Sequence, residues 1–222
     1  MNYTLQTNDR KMIVFDMDNT ILLGSFIRTA AKAFDFQPQL ASIVLENTNP
    51  IVRTKKIAEL MRNISIQEIQ AVANSIEIVD DFKEIVGKLR KKGYLIGIIS
   101  DSYTCVTNLI KDKFRLDFSI ANELEFREDR ATGEVLIPSW FFKKDHSICS
   151  HEYCKSNVVS YLLEKFEVSK DNLITVGDGD NDICMVSKAK FGVAFCTVSP
   201  ALKSGANLIL SEKAFSPILH YA

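Results

Sequence analysis

The chain has 222 residues, 46% of them hydrophobic, which is enough to bury a sizeable core without disulfide bonds or structural metals. Its 27 basic and 28 acidic side chains nearly cancel, so its composition gives no electrostatic support for binding to nucleic acid or to an anionic membrane. Five scattered cysteines, a polar N-terminus and the lack of an apolar run of about 18 residues predict a soluble, cytoplasmic globular protein.

Short apolar runs predict the strands of the fold. Continuous apolar stretches suit strands that are covered on both faces of a parallel sheet, and there are three such runs, at residues 12–15, 94–99 and 172–176. Two shorter candidates follow at residues 192–195 and 207–210. Apolar residues at helical spacing occur between the runs, at residues 81–92 and 157–166. This alternation predicts an α/β fold with a Rossmann-like parallel sheet.

Two segments interrupt the alternation. Residues 21–80 lack a convincing strand and predict four helices, at residues 26–34, 39–46, 53–61 and 67–74. We therefore expect a helical cap domain at residues 21–80, here called the helical insertion, within a core domain formed by residues 1–20 and 81–222. Residues 126–138 predict a β-hairpin whose turn lies at residues 129–133, so we place the hairpin near residues 124–138.

Polar side chains follow the three best strands. Ligands of open α/β sheets bind beyond the carboxyl ends of the strands, so these side chains are expected to converge at one edge. They are Asp16, Asp18, Ser100, Asp101, Asp178 and Asp182. Carboxylates gathered in this way repel one another unless a positive charge lies among them. Ligands that are all oxygen favour Mg²⁺, and Lys155 is placed to supply a further positive charge.

These residues resemble a known motif set. Residues 15–20, Ser100, Lys155 and residues 177–182 are similar, in order and spacing, to the four motifs of the haloacid-dehalogenase-like phosphatases. Within that superfamily the chain resembles the phosphoserine-phosphatase-like branch over nearly its whole length. The resemblance implies a Mg²⁺-dependent phosphomonoester hydrolase that acts on a small-molecule phosphate ester, as a monomer or a homodimer.

The resemblance also implies a role for each motif residue. Asp16 is the expected nucleophile, which forms an aspartyl-phosphate, and Asp18 is the expected general acid and base. Ser100, Lys155 and Asn181 are expected to bind phosphate or substrate. The Mg²⁺ ligands would be Asp16, the backbone carbonyl of Asp18, Asp178 and Asp182, the last directly or through water.

The substrate stays open at this point. Phosphoserine phosphatases have a cap glutamate that faces the substrate ammonium, and in this chain Ser25 occupies that position. They also have a cap arginine for the substrate carboxylate. Here Lys56 or Ile57 lies closer to the aligned position than Arg53 does. Asp101 offers a partner for a substrate ammonium, and its alternative role is to cap the helix expected near Tyr103. The alternative substrates are phosphoethanolamine, phosphocholine and pyridoxal phosphate.

Three further interpretations remain. A phosphotransferase or mutase would pass the phosphoryl group to another hydroxyl, and a non-enzymatic module would only bind a phosphorylated ligand. The intact pair of Asp16 and Asp18 favours an enzyme over the binding module. A zinc site is the third, because nitrogen and sulfur ligands cluster at His146, Cys149, His151 and Cys154. Their spacing does not resemble a closed ligand pair on a hairpin, so we favour thiols without a metal.

Overall fold

A computed structural model describes residues 10–145, 147 and 149–222. Within these residues, seven strands form a single sheet in the order β4-β3-β2-β1-β5-β6-β7. The strands are β1 (Lys11–Phe15), β2 (Tyr94–Tyr103), β3 (Phe118–Arg127), β4 (Arg130–Leu136), β5 (Leu173–Gly177), β6 (Phe191–Phe195) and β7 (Leu208–Leu210). Every neighbouring pair is parallel except β3 and β4, which are antiparallel. The predicted parallel α/β fold is confirmed.

Nine α-helices accompany the sheet in the described part of the chain. They are α1 (Phe26–Ala33), α2 (Gln37–Glu46), α3 (Pro50–Leu60), α4 (Ile66–Ser75), α5 (Phe82–Lys91), α6 (Thr104–Phe114), α7 (Lys155–Lys165), α8 (Ile183–Lys188) and α9 (Pro200–Gly205). Local signals set several of their starts. The Asn49 side chain accepts from Ile51 N at 2.9 Å ahead of α3, and Ser65 and Glu68 form a reciprocal capping box at α4.

The middle strand β1 is buried on both faces. Successive strand side chains point to opposite faces, and those of Met12, Ile13, Val14 and Phe15 are all inaccessible to solvent. Ile13 and Phe15 belong to one apolar cluster, while Met12 and Val14 belong to a second cluster on the opposite face. The continuous apolar run in the sequence is therefore explained by helices and loops that cover both sides of the sheet.

The hairpin differs from the predicted one. β3 begins at Phe118 and pairs with β2 before it forms the hairpin, so the sequence missed its first half. The turn lies between Arg127 and Arg130, earlier than predicted, where Glu128 has a φ of 59°. Gly133, which suggested the turn, has a φ of 85° but lies inside β4. The left-handed glycine therefore marks an irregularity within a strand.

The helical insertion contains α1–α4, close to the four predicted helices. It is hydrogen-bonded to the hairpin through Asn63 N to Ala131 O (2.8 Å) and Ile66 N to Asp129 O (2.8 Å). The insertion thus touches the core at the hairpin as well as through its two chain connections. None of the helices in residues 10–145, 147 and 149–222 has the length and apolar character needed to cross a membrane.

Candidate active site

The predicted site residues meet at the carboxyl edge of the sheet. β1 lies between β2 and β5, and Phe15 is paired with Ile98 on one side and Val176 on the other. Asp16 directly follows β1, and its backbone N–H donates to Val176 O at 2.9 Å. Asp178 directly follows β5. The parallel register therefore brings the two acids to neighbouring positions, as the sequence predicted.

Lys155 carries the positive charge of the site. It begins α7 and is 2% exposed. Its ammonium forms an ion pair with Asp16 and a second one with Asp182 Oδ1 at 2.8 Å. Burial alone lowers the pKa of the Lys155 ammonium, but the two carboxylates outweigh burial and hold that pKa well above its usual value. Lys155 is therefore charged while buried.

The loop after β5 fixes Asp182. This side chain is inaccessible to solvent, and its Oδ2 accepts from the backbone N–H groups of Asp178 and Gly179 at 3.1 Å each. Gly177 leaves the room that this arrangement needs, because a Cβ on Gly177 would lie 2.5 Å from the Asp182 side chain. The glycine and the two amides together place the Asp182 carboxylate beside Lys155.

Asp18 points toward the helical insertion. The backbone turns through Asn19, whose φ is 54°, and Asp18 Oδ1 accepts from Phe26 N at the first residue of α1. Burial raises the pKa of the Asp18 carboxyl to about 6. A carboxyl group with this pKa can lose and regain a proton near neutral pH, which is what a general acid and base requires.

Three carboxylates form an oxygen cluster suited to a divalent cation. Asp16, Asp178 and Asp182 each offer an oxygen, and these atoms lie within 4.8 Å of one another. Burial raises the pKa of Asp16 well above its usual value and that of Asp178 to about 6, with the neighbouring acids adding to both shifts. Lys155 supplies only one positive charge against the three carboxylates. A hard cation would keep all of them ionised, so the residues present fit Mg²⁺.

Ser100, Asp101 and Asn181 lie on the same rim. Ser100 is 1% exposed and lines the cleft described below, with its Oγ accepting from Ser102 N at 3.1 Å. Asp101 accepts from Tyr153 OH at 3.1 Å and from Asn181 Nδ2 at 2.9 Å. The alternative that Asp101 caps a helix is wrong, because α6 begins only at Thr104 and has no side-chain cap.

A cleft of ≈ 1040 Å³ lies between this rim and the helical insertion. A pocket of ≈ 170 Å³ adjoins it and shares Asp18, Asp101 and Arg53 with it. The sequence favoured Lys56 or Ile57 for the place of a cap cation. The structure instead brings Arg53 to both cavities, with Ile57 beside it as an apolar wall.

The sequence also missed Tyr153 as a site residue. Tyr153 lines the smaller pocket and holds Asp101, and its only sequence signal was its place two residues before Lys155. His146 lies outside the described residues. Ser25, Asp18 and Asn181 all line the cleft.

Comparisons with known proteins agree with this geometry. A family model for haloacid dehalogenase-like hydrolases matches residues 106–221. A phosphoserine phosphatase from Methanocaldococcus jannaschii is 26% identical over 220 residues, which cover 96% of this chain and 97% of that protein. One from Archaeoglobus fulgidus is 26% identical over 87% of this chain, which spans 54% of that longer protein. The solved phospho-aspartyl intermediate analogue of phosphoserine phosphatase superposes with a TM-score of 0.79 at 24% identity, covering 96% of this chain and 98% of that one.

Proposed function

Because the chain belongs to the haloacid dehalogenase-like hydrolases and is a phosphatase of that family, we propose that it hydrolyses a small phosphate monoester of the phosphoserine type. The predicted family is confirmed. The substrate proposal is supported by the charges around the smaller pocket, which is lined by both Arg53 and Asp101 together with Asp18. A leaving group that carries both a carboxylate and an ammonium would match these two charges.

Asp16 is the nucleophile in this proposal. One of its carboxylate oxygens attacks phosphorus and the bond from phosphorus to the substrate oxygen breaks, which leaves an aspartyl-phosphate. Water then attacks the same phosphorus and releases phosphate with Asp16 restored. Lys155 holds the Asp16 carboxylate in place through its ion pair, and Ser100 lies at the same rim to donate to a phosphate oxygen.

Asp18 handles the proton. Its pKa of about 6 allows it to give a proton to the leaving alkoxide and then to take one from the attacking water. The hydrogen bond from Phe26 N ties this carboxyl to the first residue of α1, so the helical insertion positions the acid. Asp18 also lines the smaller pocket, which is where a protonated leaving group would lie.

We propose Mg²⁺ as the cofactor. Asp16, Asp178 and Asp182 would hold it, with the Asp18 carbonyl as the fourth protein ligand expected from the sequence. When bound, Mg²⁺ supplies positive charge that offsets the negative charge of the phosphoryl oxygens. Asp182 is kept in position for this by Lys155 and by the amides of residues 178 and 179.

Phosphate release from a substrate panel tests the proposal. We expect Mg²⁺-dependent release, fastest with phosphoserine and slower with phosphoethanolamine, which lacks the carboxylate, and with pyridoxal phosphate. Arg53→Ala should reduce kcat/KM for phosphoserine while leaving phosphoethanolamine almost unchanged, whereas Asp101→Ala should reduce both. Lys55→Ala is the matched control, because Lys55 is exposed on the same helix and lines neither cavity.

Two results would contradict the proposal. Equal kcat/KM values for phosphoserine and phosphoethanolamine that do not change in Arg53→Ala would show that Arg53 does not bind a substrate carboxylate. Consumption of phosphoserine only when an acceptor alcohol is present, without release of phosphate, would indicate a phosphotransferase in place of a hydrolase.

A further inference from the structure

Four nitrogen and sulfur ligands cluster beside the active site. They are Cys149, His151, Cys154 and Cys184, and one ligand atom from each lies within 4.8 Å of the others. His151 Nδ1 is 2.9 Å from Cys149 Sγ and 3.4 Å from Cys184 Sγ. All three cysteines are free thiols. The imidazole therefore faces two of the thiols, and none of the three sulfur atoms is part of a disulfide bond.

We propose that these four residues bind one Zn²⁺ ion. Zinc prefers thiolate and imidazole ligands in a tetrahedron, whereas Mg²⁺ prefers oxygen, so the two clusters of this protein select different metals. Cys149 and Cys154 are separated by four residues, which lies within the usual spacing of paired zinc cysteines, so the objection to the spacing raised from the sequence does not hold for this pair. Four protein ligands leave no open position for water, so the site is structural and not catalytic.

Two of the sulfur atoms accept hydrogen bonds that would orient them toward a metal ion. Ser156 Oγ donates to Cys154 Sγ at 3.2 Å, and His151 N donates to Cys149 Sγ at 3.4 Å. Donors that surround a ligand atom orient it and stabilise the charge that metal binding requires. Cys149 and Cys154 are buried while His151 is exposed, so a metal ion can enter from the His151 side.

The surroundings explain what a zinc ion would stabilise. Between the end of β4 and the start of α7, most of the residues that the structure describes have no regular secondary structure, and Cys149, His151 and Cys154 lie among them. The backbone of this loop is tied across by Lys143 N to Glu152 O at 2.9 Å and by a bridge between Phe142 and Tyr153. Long loops without secondary structure are uncommon in compact domains, and a bound metal ion would add a further constraint to this one. The fourth ligand, Cys184, lies on α8, so zinc would join the loop to that helix.

This join lies directly beside the catalytic residues. Cys154 precedes Lys155, and Cys184 follows Asp182 by two residues. Lys155 and Asp182 are themselves in contact at 2.8 Å. Zinc would therefore fix the two chain segments that carry this ion pair, and its removal should loosen the active site without removing an active-site side chain.

Metal analysis of the whole chain tests this inference. We expect protein purified with a thiol reductant to contain one zinc ion per chain by mass spectrometry of the metal. Cys184→Ser should lose most of the zinc, while Cys105→Ser, which changes a thiol outside the cluster, should retain it. Asp16→Asn should also retain zinc, which separates this site from the oxygen cluster. Cobalt(II) in place of zinc should give the thiolate-to-metal absorption band in the wild type and lose it in Cys184→Ser.

The inference is overturned if reduced wild-type protein binds no zinc after reconstitution, or if Cys184→Ser binds zinc as tightly as the wild type. A disulfide that persists within the cluster under reducing conditions would also overturn it. If Cys184→Ser does not fold, the cobalt spectrum and zinc content of the wild type still decide the question. Metal content is read without turnover, so failure of the proposed phosphatase substrate would leave this result unaffected.

Discussion

Replacing Lys155 with methionine tests whether its buried charge stabilises the protein. The Lys155 side chain is 1% exposed and its ammonium contacts Asp16 and Asp182, so Lys155→Met leaves buried carboxylates without their protein counter-charge. Removing one partner of a buried ion pair typically costs about 3–5 kcal/mol. For a chain of this size each kcal/mol shifts the Tm by about 2–4 °C. We therefore expect a Tm loss of about 6–20 °C in Mg²⁺-free buffer at pH 7.5.

The assay is thermal unfolding followed by circular dichroism, with Lys88→Met as the control. Lys88 also forms an ion pair, with Glu84 one helical turn away, but both side chains are more than half exposed to solvent. Exposed pairs contribute little to stability, so this variant should unfold at nearly the wild-type temperature. Saturating Mg²⁺ should narrow the gap between Lys155→Met and the wild type, because the cation restores positive charge beside the carboxylates.

The same variant should respond to pH in a defined direction. Burial raises the pKa of Asp178 to about 6 and that of Asp16 well above its usual value, so these groups take up protons readily as the pH falls. Protonation removes the unbalanced charge, and the Tm deficit of Lys155→Met should shrink between pH 7.5 and pH 5. The reasoning is refuted if Lys155→Met and Lys88→Met lose equal stability, or if the deficit does not depend on pH.

Three further predictions concern the site and its supporting loop. Asp16→Asn should abolish phosphate release but keep the fold, since it removes the nucleophile and one buried charge; measurable turnover would exclude Asp16 as nucleophile. Gly177→Ala should lower the Tm and weaken Mg²⁺ binding in titration calorimetry, because the new Cβ displaces Asp182. Gly87→Ala is the control, since Gly87 lies in open space within α5, and this change should stabilise the protein by roughly 0.5–1 kcal/mol. Equal Tm changes in the two variants would contradict the prediction. Asp178 has a pKa of about 6, so above that pH its ionised carboxylate destabilises the Mg²⁺-free protein. Bound Mg²⁺ offsets this negative charge, and the Tm gain on adding Mg²⁺ should therefore shrink as the pH falls through 6. A Tm gain that does not depend on pH would contradict the prediction.

The catalytic rim was predictable because its determinants are local. A short apolar run followed by acids marks both a buried strand and its carboxyl end, and parallel pairing then places Asp16 and Asp178 together. β3 was missed for the opposite reason. Its burial varies from residue to residue, with Glu123 and Glu125 exposed, so it has no continuous apolar run. Gly133 also suggested a turn at its own position, whereas the chain turns earlier, at Glu128.

Substrate contacts were less predictable because they depend on how the helical insertion sits over the core. Counting along the chain favoured Lys56 or Ile57 for the position of the cap arginine. The residue that reaches the cavities is instead decided by which face of α3 points inward. That face includes Arg53 and Ile57, one helical turn apart, and excludes Lys56. Tyr153 illustrates the same limit, since its contact with Asp101 joins residues that are far apart in the sequence.

The thiol cluster shows why closeness in sequence misleads for metal ligands. His146 drew attention because it lies near the two cysteines, yet the fourth residue within ligand distance is Cys184, which no spacing rule connects to the loop. α7 and α8 pack against each other, and this packing brings Cys184 to Cys154 and Asp182 to Lys155 at once. Cys154 is one residue from Lys155 along the chain, and Cys184 is two residues from Asp182. A displacement of either helix must therefore change both pairs together, so the geometry of the thiol cluster and that of the catalytic ion pair are mechanically coupled.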